Sequence, residues 1–382
     1  MRVVDLTSVV MGPLATQILG DLGAEVMTIE PANGETNRVM GAAPHPELSG
    51  VSLNLLRNKR NVKLDLKSKA GRDAFLKIAA TCDVMVTNLR PGPLTRLGLT
   101  YADVRQVRED IVYCRAHGFP SDGPRADDPA YDDIIQAATG VADAFTRTTG
   151  EPSLVPTIFA DKVSGLTVTY AVLAALYHRS VSGEGQEIEV PMVDAATAFM
   201  LVEHGAGAVP RPPLAPAGYP RILTGERRPQ RTLDGWVSVL PYSKGHWDTL
   251  FEIGGRTELV GDERMATGRA RLANSAFLYR QLADILASRS TGYWLEFCAE
   301  HSIPASPVAS LDDLVDALPE AEHPVTGTYK VVPPPARFSR TPASGTRRPA
   351  PLVGQHTEEV LAEVGMTAEE IAEVRGQTGH RP

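Results

Sequence analysis

The sequence predicts an α/β fold, in which a parallel β-sheet with helices on both faces is followed by a second, smaller unit. The first 120 residues alternate β-rich runs with helical segments, which is typical of consecutive βα units. Residues 207–232 are rich in Pro, Gly and Arg and show no periodicity, which is typical of a linker. The alternation therefore predicts the sheet, and the linker predicts the boundary to the second unit.

Short runs of β-branched and apolar residues predict the strands of this sheet, and helical apolar spacing predicts the segments between them. One long helix carries Val163, Leu166, Tyr170, Leu173 and Tyr177 at the spacing expected of a core-facing stripe. In chain order, the predicted strands are 2–6, 25–29, 62–66, 83–88, 111–115 and 187–191, and the predicted helices are 12–22, 70–80, 161–180 and 193–204.

The second unit is predicted over residues 233–317, with a strand at 236–240 and helices at 244–253, 275–287 and 293–300. Residues 326–332 are predicted to be extended, and 333–351 to be irregular. Two short helices then close the chain at 357–364 and 367–374. Each begins with a Thr that precedes acidic residues, which is a favourable helix N-cap.

The composition is that of a globular protein without a nucleic-acid or membrane partner. The chain has 382 residues, of which 43% are hydrophobic and 22% charged, and its net charge is −8. Binding to nucleic acid or to anionic membranes requires a basic field, which this balance does not provide. An anionic small molecule would therefore need a local basic pocket.

The cysteines and the apolar runs indicate a cytoplasmic protein. Cys82, Cys114 and Cys298 are odd in number and far apart, which favours a reducing compartment over a disulfide framework. The N-terminal residues lack the order of a signal peptide. The longest apolar stretch, 165–177, is too short to span a membrane.

No common metal or dinucleotide motif is present. The sequence has no HExxH pattern and no pair of CxxC motifs, so we expect no metal. The run Gly20-Asp21-Leu22-Gly23 follows a predicted helix and not a strand. This position is typical of a helix C-cap and not of a phosphate-binding loop.

The most basic stretch of the chain contains Arg57, Lys59 and Arg60. Guanidinium and ammonium groups pair strongly with phosphates, so one interpretation is a seat for a phosphorylated ligand. The other is a solvated strand edge that lysines protect from aggregation. Composition alone supports both.

Asp161 stands where an extended apolar segment meets the start of the long predicted helix. Its carboxylate could cap that helix, or it could attack a thioester carbonyl as a covalent nucleophile. Asp132 and Asp133 could be general bases or simply a helix start. His117 follows a strand, where it could serve a sheet-end site or be a satisfied structural group.

Motifs along nearly the whole chain resemble those of family III CoA transferases, the superfamily of formyl-CoA transferase, carnitine-CoA transferase and α-methylacyl-CoA racemase. They occur in the expected order, from the N-terminal region to the last helices. They are Val4-Asp5-Leu6-Thr7, Met11-Gly12-Pro13, Asn58-Lys59-Arg60, Leu64-Asp65-Leu66-Lys67, Asn88-Leu89-Arg90-Pro91-Gly92, Tyr131-Asp132, Met192-Val193-Asp194-Ala195 and Leu352-Val353-Gly354-Gln355-His356.

This resemblance implies an interlocked, ring-like homodimer, in which each chain has a large Rossmann-like domain and a smaller α+β domain. The large domain would be built from both chain ends. The implied order is a first part at 1–206, a linker at 207–232, a small domain at 233–317, a return linker at 318–351, and C-terminal helices at 352–382 that complete the large domain.

The resemblance also implies a reaction and its residues. Asp161 would be the nucleophile that takes CoA from an acyl-CoA and gives it to a carboxylic acid, with Asp132 near the reacting centre. No cofactor is implied beyond the CoA thioester substrate. The implied CoA-binding positions are Val10, Met11, Leu64, Lys67, Asn88, Arg96, Tyr131 and Met192, to which we add Arg57, Lys59 and Arg60 for the phosphates.

Two alternatives remain at this point. An α-methylacyl-CoA racemase shares the fold, but its His would stand where this chain has Tyr131, and a phenol is a poor base near neutral pH. A non-catalytic CoA-binding protein is the other alternative, which the intact Asp161 disfavours. Val10 and Pro31 depart from the pattern of the formyl-CoA enzyme, so formyl-CoA and oxalate are not expected.

Overall fold

The computed structural model describes residues 1–343 and 345–377, and the chain divides into two compact units. We call them the sheet unit (Met1–Thr139, Val155–Phe199 and Leu318–Pro382) and the second unit (Gly140–Leu154 and Met200–Ala317). The predicted ranges 318–351 and 352–382 include Ser344 and residues 378–382, which lie outside the described residues.

The sheet unit is built on a six-stranded parallel sheet, as the alternating pattern predicts. The strand order is β3-β2-β1-β4-β5-β6, so the chain reverses its direction of winding between β1 and β4. This is the strand order of dinucleotide-binding α/β folds. The strands are β1 (Arg2–Leu6), β2 (Glu25–Glu30), β3 (Lys59–Lys63), β4 (Val84–Thr87), β5 (Val112–His117) and β6 (Glu187–Pro191).

Helices cover both faces of this sheet and create a separate core on each. On one face, Leu19 of the first helix and Val168 and Val172 of the long helix pack against the strands. On the other face, Phe75 and Val360 do so. The helices of the sheet unit are α1 (Met11–Asp21), α2 (Gly50–Leu55), α3 (Lys69–Ala79), α4 (Pro91–Leu97), α5 (Tyr101–Arg105), α6 (Asp132–Ala138), α8 (Phe159–Ser182), α9 (Met192–His204), α15 (Thr357–Glu363) and α16 (Ala368–Gln377), with the end of α9 entering the second unit.

The core-facing stripe predicted for α8 is wrong for a single chain. Leu166, Tyr170 and Tyr177 are 56%, 64% and 74% exposed. The buried face carries small residues instead, among them Ser164 and Gly165, because α8 packs closely on α1. Apolar residues therefore occupy both faces of α8, and sequence periodicity could not tell the inner face from the outer one.

Among the described residues, α8 is also the one helix long and apolar enough to cross a membrane by length and composition. Nearly half of its most apolar 18-residue window, 44%, is buried within the protein. A buried core helix meets the same criterion, so α8 gives only weak support for a membrane segment.

The second unit has its own core around Trp247 and Trp294, together with a three-stranded antiparallel sheet. The predicted helix at 244–253 agrees in both bounds. The elements of this unit are α7 (Val141–Thr149), β7 (Gln230–Arg231), β8 (Trp236–Val239), α10 (Lys244–Ile253), α11 (Gly268–Ala273), α12 (Ser275–Leu286), α13 (Thr291–Glu300), β9 (Ala305–Pro307) and α14 (Leu311–Asp316). The antiparallel pair β10 (Glu320–His323) and β11 (Gly327–Lys330) belongs to the sheet unit.

Candidate active site

The carboxyl ends of β1 and β4 form the crevice where ligands bind in folds of this type, because the winding reverses between these strands. Two hydrogen bonds join the segments that follow them. The Ser8 N–H donates to the Asn88 side-chain oxygen at 3.0 Å, and the Asn88 side-chain nitrogen donates to the Ser8 carbonyl at 2.9 Å. The predicted CoA position Asn88 therefore fixes one wall of the crevice.

The turn from β1 to α1 is strained at this point. Val9 adopts a φ of 64°, in the left-handed region that β-branched residues strongly avoid. The turn is also tight, because a Cβ on Gly12 would lie only 2.3 Å from the Thr7 Cβ. Among the described residues, no side chain caps the start of α1, so its first N–H groups remain available for an anion.

Asp161 is the third residue of α8 and lies close to this turn. A Cβ on Gly165, one helical turn further on, would lie 2.7 Å from the Met11 carbonyl oxygen. Residues four apart share one helix face at a separation of roughly 6 Å, so Asp161 faces the same region of α1. The small Gly165 is what allows this close approach.

The Asp161 carboxylate is buried without a partner. The residue is only 8% exposed, and within residues 1–343 and 345–377 its side chain forms no hydrogen bond or ion pair. Burial, assisted by the nearby charge of Asp132, raises the pKa of Asp161 to about 6. At neutral pH this carboxylate is therefore ionised but poorly solvated, which makes it a reactive nucleophile.

Asp132 holds the start of α8 in place. One of its oxygens accepts hydrogen bonds from the N–H groups of Ala160 and Asp161, at 2.6 and 3.1 Å. The other accepts from the Gln136 side chain at 2.6 Å, and the Gln136 oxygen in turn accepts from the Val155 N–H at 2.9 Å. Both oxygens are therefore occupied, which favours a positioning role and an electrostatic one.

Most of the other predicted CoA positions follow the carboxyl ends of strands. Leu64 and Lys67 follow β3, where Leu64 is buried and Lys67 is exposed. Arg96 is exposed on α4, which follows β4. Val10, Met11 and Met192 are buried at or beside helix starts, and Tyr131 is exposed at the start of α6. The exposed cations Lys67 and Arg96 form no ion pair with any described residue.

The cations Arg57, Lys59 and Arg60 require a correction, because the structure buries all three and pairs each with carboxylates. Arg57 bonds Asp21 at 2.6 Å, and Lys59 bonds Asp5 at 2.9 Å. Arg60 bonds Glu359 and Glu363 at 2.9 and 2.7 Å. All three are less than 5% exposed. Each of these charges is already paired with carboxylates, so none of the three is available to bind a phosphate.

His117 lies at the end of β5 and is 3% exposed. Its Nε2 stands 3.3 Å from a Glu189 oxygen, without the geometry of a hydrogen bond. Burial lowers the pKa of His117, so the ring is neutral at physiological pH. These contacts favour the structural interpretation.

Two contributors to this site were not predicted as site residues. Gln136 stands four residues after Asp132 on α6, a spacing that could have indicated a shared helix face. Gly165 interrupts an apolar helix, which can indicate a close backbone approach. The strain at Val9 has no counterpart in the sequence.

The comparisons with known proteins agree with this geometry. The model of CoA-transferase family III matches residues 1–357. The probable fatty acyl-CoA transferase Rv3272 of Mycobacterium tuberculosis has a sequence 32% identical to this chain, and the match covers 94% of this chain and 96% of Rv3272. A crystal structure of Rv3272 superposes on this structure with a TM-score of 0.80 at 31% sequence identity. That superposition covers 94% of this chain and 97% of the Rv3272 chain.

Two further relatives have named substrates. The formyl-CoA:oxalate CoA-transferase of Streptomyces coelicolor is 31% identical over 97% of this chain and 96% of its own. The succinyl-CoA:glutarate CoA-transferase of Mus musculus is 29% identical over 95% of this chain and 85% of its own.

Proposed function

The chain belongs to CoA-transferase family III, and we propose that it works through a covalent intermediate on Asp161. It is an enzyme that transfers CoA between an acyl-CoA and a carboxylic acid. The observation that carries the proposal is the buried Asp161 carboxylate, which has no hydrogen bond or ion pair among the described residues and lies one helical turn from the contact of Gly165 with Met11 of α1. A group held in this way is available to react with a thioester.

The proposed first half-reaction transfers CoA to the enzyme. An Asp161 oxygen attacks the thioester carbonyl of the donor, forming a mixed anhydride and releasing CoA thiolate. The thiolate then attacks the aspartyl carbonyl, breaking the anhydride bond on that side. This leaves an aspartyl-CoA thioester on Asp161 and frees the donor acid as its carboxylate.

The second half-reaction reverses this order with the acceptor. The acceptor carboxylate attacks the aspartyl thioester, forming a new mixed anhydride and again releasing CoA thiolate. The thiolate attacks the acceptor acyl carbonyl, giving the new acyl-CoA and restoring the Asp161 carboxylate. Each cycle exchanges one thioester for another, so the thioester energy is conserved and the sequence calls for no cofactor beyond the CoA substrate.

The first N–H groups of α1 are proposed to stabilise the oxyanion in each addition step. Val10 and Met11 lie at the helix start, where the backbone dipole is positive and no described side chain occupies the N–H groups. Preorganised N–H donors of this kind often lower a barrier by several kcal/mol. The strained Val9 fixes their direction.

CoA itself is proposed to lie along the carboxyl edge of the sheet. The proposed contacts for its body are Val10, Met11, Leu64, Asn88, Tyr131 and Met192. Its phosphates would meet Lys67 and Arg96, whose charges have no carboxylate partner among the described residues. Because Val10 and Met11 are apolar, we propose a donor with a less polar acyl group than formyl.

We also propose the interlocked homodimer that the family resemblance implies. Leu166, Tyr170 and Tyr177 form an exposed apolar stripe on α8, which a second copy of the chain would cover. Both chain ends contribute to the sheet unit, but Gly140–Leu154 and Met200–Ala317 form the second unit, so the observed division differs from the predicted one at 140–154, 200–232 and 318–351. The order of 1–206, 207–232, 233–317, 318–351 and 352–382 stays a prediction from the resemblance. The free, buried cysteines Cys82, Cys114 and Cys298 are in keeping with the cytoplasm as the proposed compartment.

Mass spectrometry tests the mechanism directly. The protein is incubated with formyl-, succinyl- and fatty acyl-CoA donors, and intact masses and peptide maps are recorded. We expect an added mass of CoA less one water on the peptide that contains Asp161. Under native conditions the same sample should have twice the mass of one chain.

The controls are two aspartate variants. Asp161→Ala should fold and bind CoA but form no adduct and transfer no CoA. Asp133→Ala, which removes an exposed carboxylate next to Asp132, should react like the parent protein. Normal transfer by Asp161→Ala, or an adduct on another residue, would rule out the mechanism.

A further inference from the structure

The second unit contains a cavity of about 220 Å³ that the transferase mechanism does not use. It lies among helices α10, α11 and α12 and the segment that carries Tyr219 and Arg221. Its size is below the roughly 300–1,000 Å³ of sites for drug-sized ligands, so it suits a small molecule.

Two guanidinium groups line this cavity, those of Arg221 and Arg271. Arg221 interacts with the phenols of Tyr219 and Tyr279, and its guanidinium carbon lies 5.2 Å from the centre of the Tyr242 ring. Arg271 donates one hydrogen bond to the Met265 carbonyl at 2.7 Å. These contacts hold both groups in place but do not neutralise them.

Four other arginines of this unit are paired with carboxylates among the described residues, Arg147 and the three that follow, whereas six more are not. Arg264 bonds Asp262 at 2.6 Å, Arg256 bonds Asp284 at 3.3 Å, and Arg280 bonds Glu226 at 3.5 Å. Within the described parts of the chain, neither Arg221 nor Arg271 forms such a pair. What distinguishes Arg221 and Arg271 is that both line one cavity whose lining residues include no carboxylate. An anionic ligand would supply the charge that this lining lacks.

The rest of the lining is apolar or aromatic. Trp247 is 2% exposed and Leu278 is also 2% exposed, and Leu272 lies beside them. An inorganic anion would match only the guanidinium groups of this cavity. An acid with a compact apolar body would also contact the apolar lining, while its carboxylate would accept hydrogen bonds from the planar guanidinium groups.

We propose that this cavity binds a small organic carboxylate, with Arg221 and Arg271 as the charge partners and Trp247 as the apolar contact. This site shares no residue with the proposed Asp161 site. The inference therefore does not rest on the covalent mechanism, and binding should persist in Asp161→Ala.

Isothermal titration of the full chain with benzoate tests the proposal, with benzamide as the neutral probe of matching shape. We expect benzoate to bind and benzamide to bind at least tenfold more weakly. Arg221→Gln and Arg271→Gln should each weaken benzoate binding at least tenfold. The matched control Arg256→Gln removes an exposed, paired arginine of the same unit and should leave the affinity unchanged.

A second measurement does not depend on the arginine variants folding. Benzoate should change the tryptophan fluorescence of the parent protein, and this change should be lost in Trp247→Phe. Equal binding of benzoate and benzamide, an unchanged affinity in both arginine variants, or binding of inorganic phosphate without benzoate would each overturn the proposal.

Discussion

Two groups of charged side chains in the sheet unit have opposite surroundings. Beneath the β1–α1 turn, Asp5 pairs with Lys59 at 2.9 Å, and Glu30 pairs with Arg38 at 2.7 Å. Both pairs are almost completely buried and have further hydrogen-bond partners. At the carboxyl edge of the sheet, by contrast, Asp161 is buried and has no hydrogen-bond or ion-pair partner among the residues that the structure describes. The difference separates charges that hold the fold from a charge that is free to react.

The buried network around Asp5 holds in place the turn from β1 to α1, next to the helix that carries Asp161. Asp5 accepts hydrogen bonds from the hydroxyls of Thr7, Thr16 and Thr28 at 2.5, 2.6 and 3.0 Å, besides the one from Lys59. Thr7 in turn packs against Gly12 at the start of α1. The satisfied network therefore fixes the turn whose N–H groups are proposed to act together with Asp161.

Removing one partner of the buried pair should have the largest effect on stability. Lys59→Met leaves the Asp5 carboxylate buried without its counter-charge, since both residues are at most 1% exposed. Breaking such a pair typically costs about 3–5 kcal/mol, so we expect the free energy of unfolding to fall by about that amount. Urea denaturation followed by circular dichroism measures it.

The double variant Asp5→Asn/Lys59→Met is the control for this prediction. It removes both charges, so its loss of stability should be smaller than the sum of the two single losses. If the loss of stability in the double variant equals the sum of the losses in Asp5→Asn and Lys59→Met, the two residues are not energetically coupled. The contrast between this stabilising pair and the unpaired Asp161 would then be wrong.

Removing the charge of Asp161 should raise the free energy of unfolding, whereas breaking the Asp5–Lys59 pair should lower it. The folded protein raises the pKa of Asp161 from its ordinary 3.8 to about 6, so ionisation of this group costs stability at neutral pH. The cost is negligible below about pH 3, grows as the pH rises through 4 to 6, and is nearly complete at about pH 7. Asp161→Asn should therefore be more stable than the parent by about 1–3 kcal/mol at pH 7, while transfer is lost.

The pH dependence distinguishes this explanation from a general effect of the substitution. The stability difference between Asp161→Asn and the parent should shrink steadily as the pH falls from about 7 to about 4, as followed by urea denaturation. Transfer by the parent should fall as the pH drops below about 6, because the nucleophile becomes protonated. A variant less stable than the parent at pH 7 would contradict a desolvated, unpaired carboxylate.

The sequence was sufficient for much of the fold, because its longer elements carry clear periodicity. β6 at 187–191 and α10 at 244–253 agree in both bounds. Short helices such as α2, α4 and α5 were not predicted, since five to seven residues carry too little pattern. β3 begins at Lys59, three residues before the predicted start, because the polar residues there are buried by distant partners.

The same limit applies to the site. The family motifs indicated Asp161 and Asp132. The basic run of Arg57, Lys59 and Arg60, in contrast, reads the same in the sequence whether its cations are free to bind a phosphate or paired with carboxylates. Their partners lie 36 residues away for Arg57 and about 300 residues away for Arg60. Likewise, the left-handed backbone at Val9 follows from the packed turn and not from a valine in the sequence.

Replacing the exposed cations Lys67 and Arg96 should have the smallest effect of the substitutions considered, because their charges are neither buried nor paired among the described residues. Lys67 and Arg96 are solvent-exposed, so each contact with a CoA phosphate should contribute only about 0.5–1 kcal/mol. Lys67→Ala and Arg96→Ala should therefore raise KM for the acyl-CoA about two- to fivefold with kcat unchanged, and added salt should shrink the difference. The control is Lys69→Ala, since Lys69 is also exposed but already paired with Asp73. Steady-state kinetics at two ionic strengths measures KM and kcat for all three variants. An equal rise in KM for Lys69→Ala would show that the general surface charge, and not Lys67 and Arg96 in particular, attracts the phosphates.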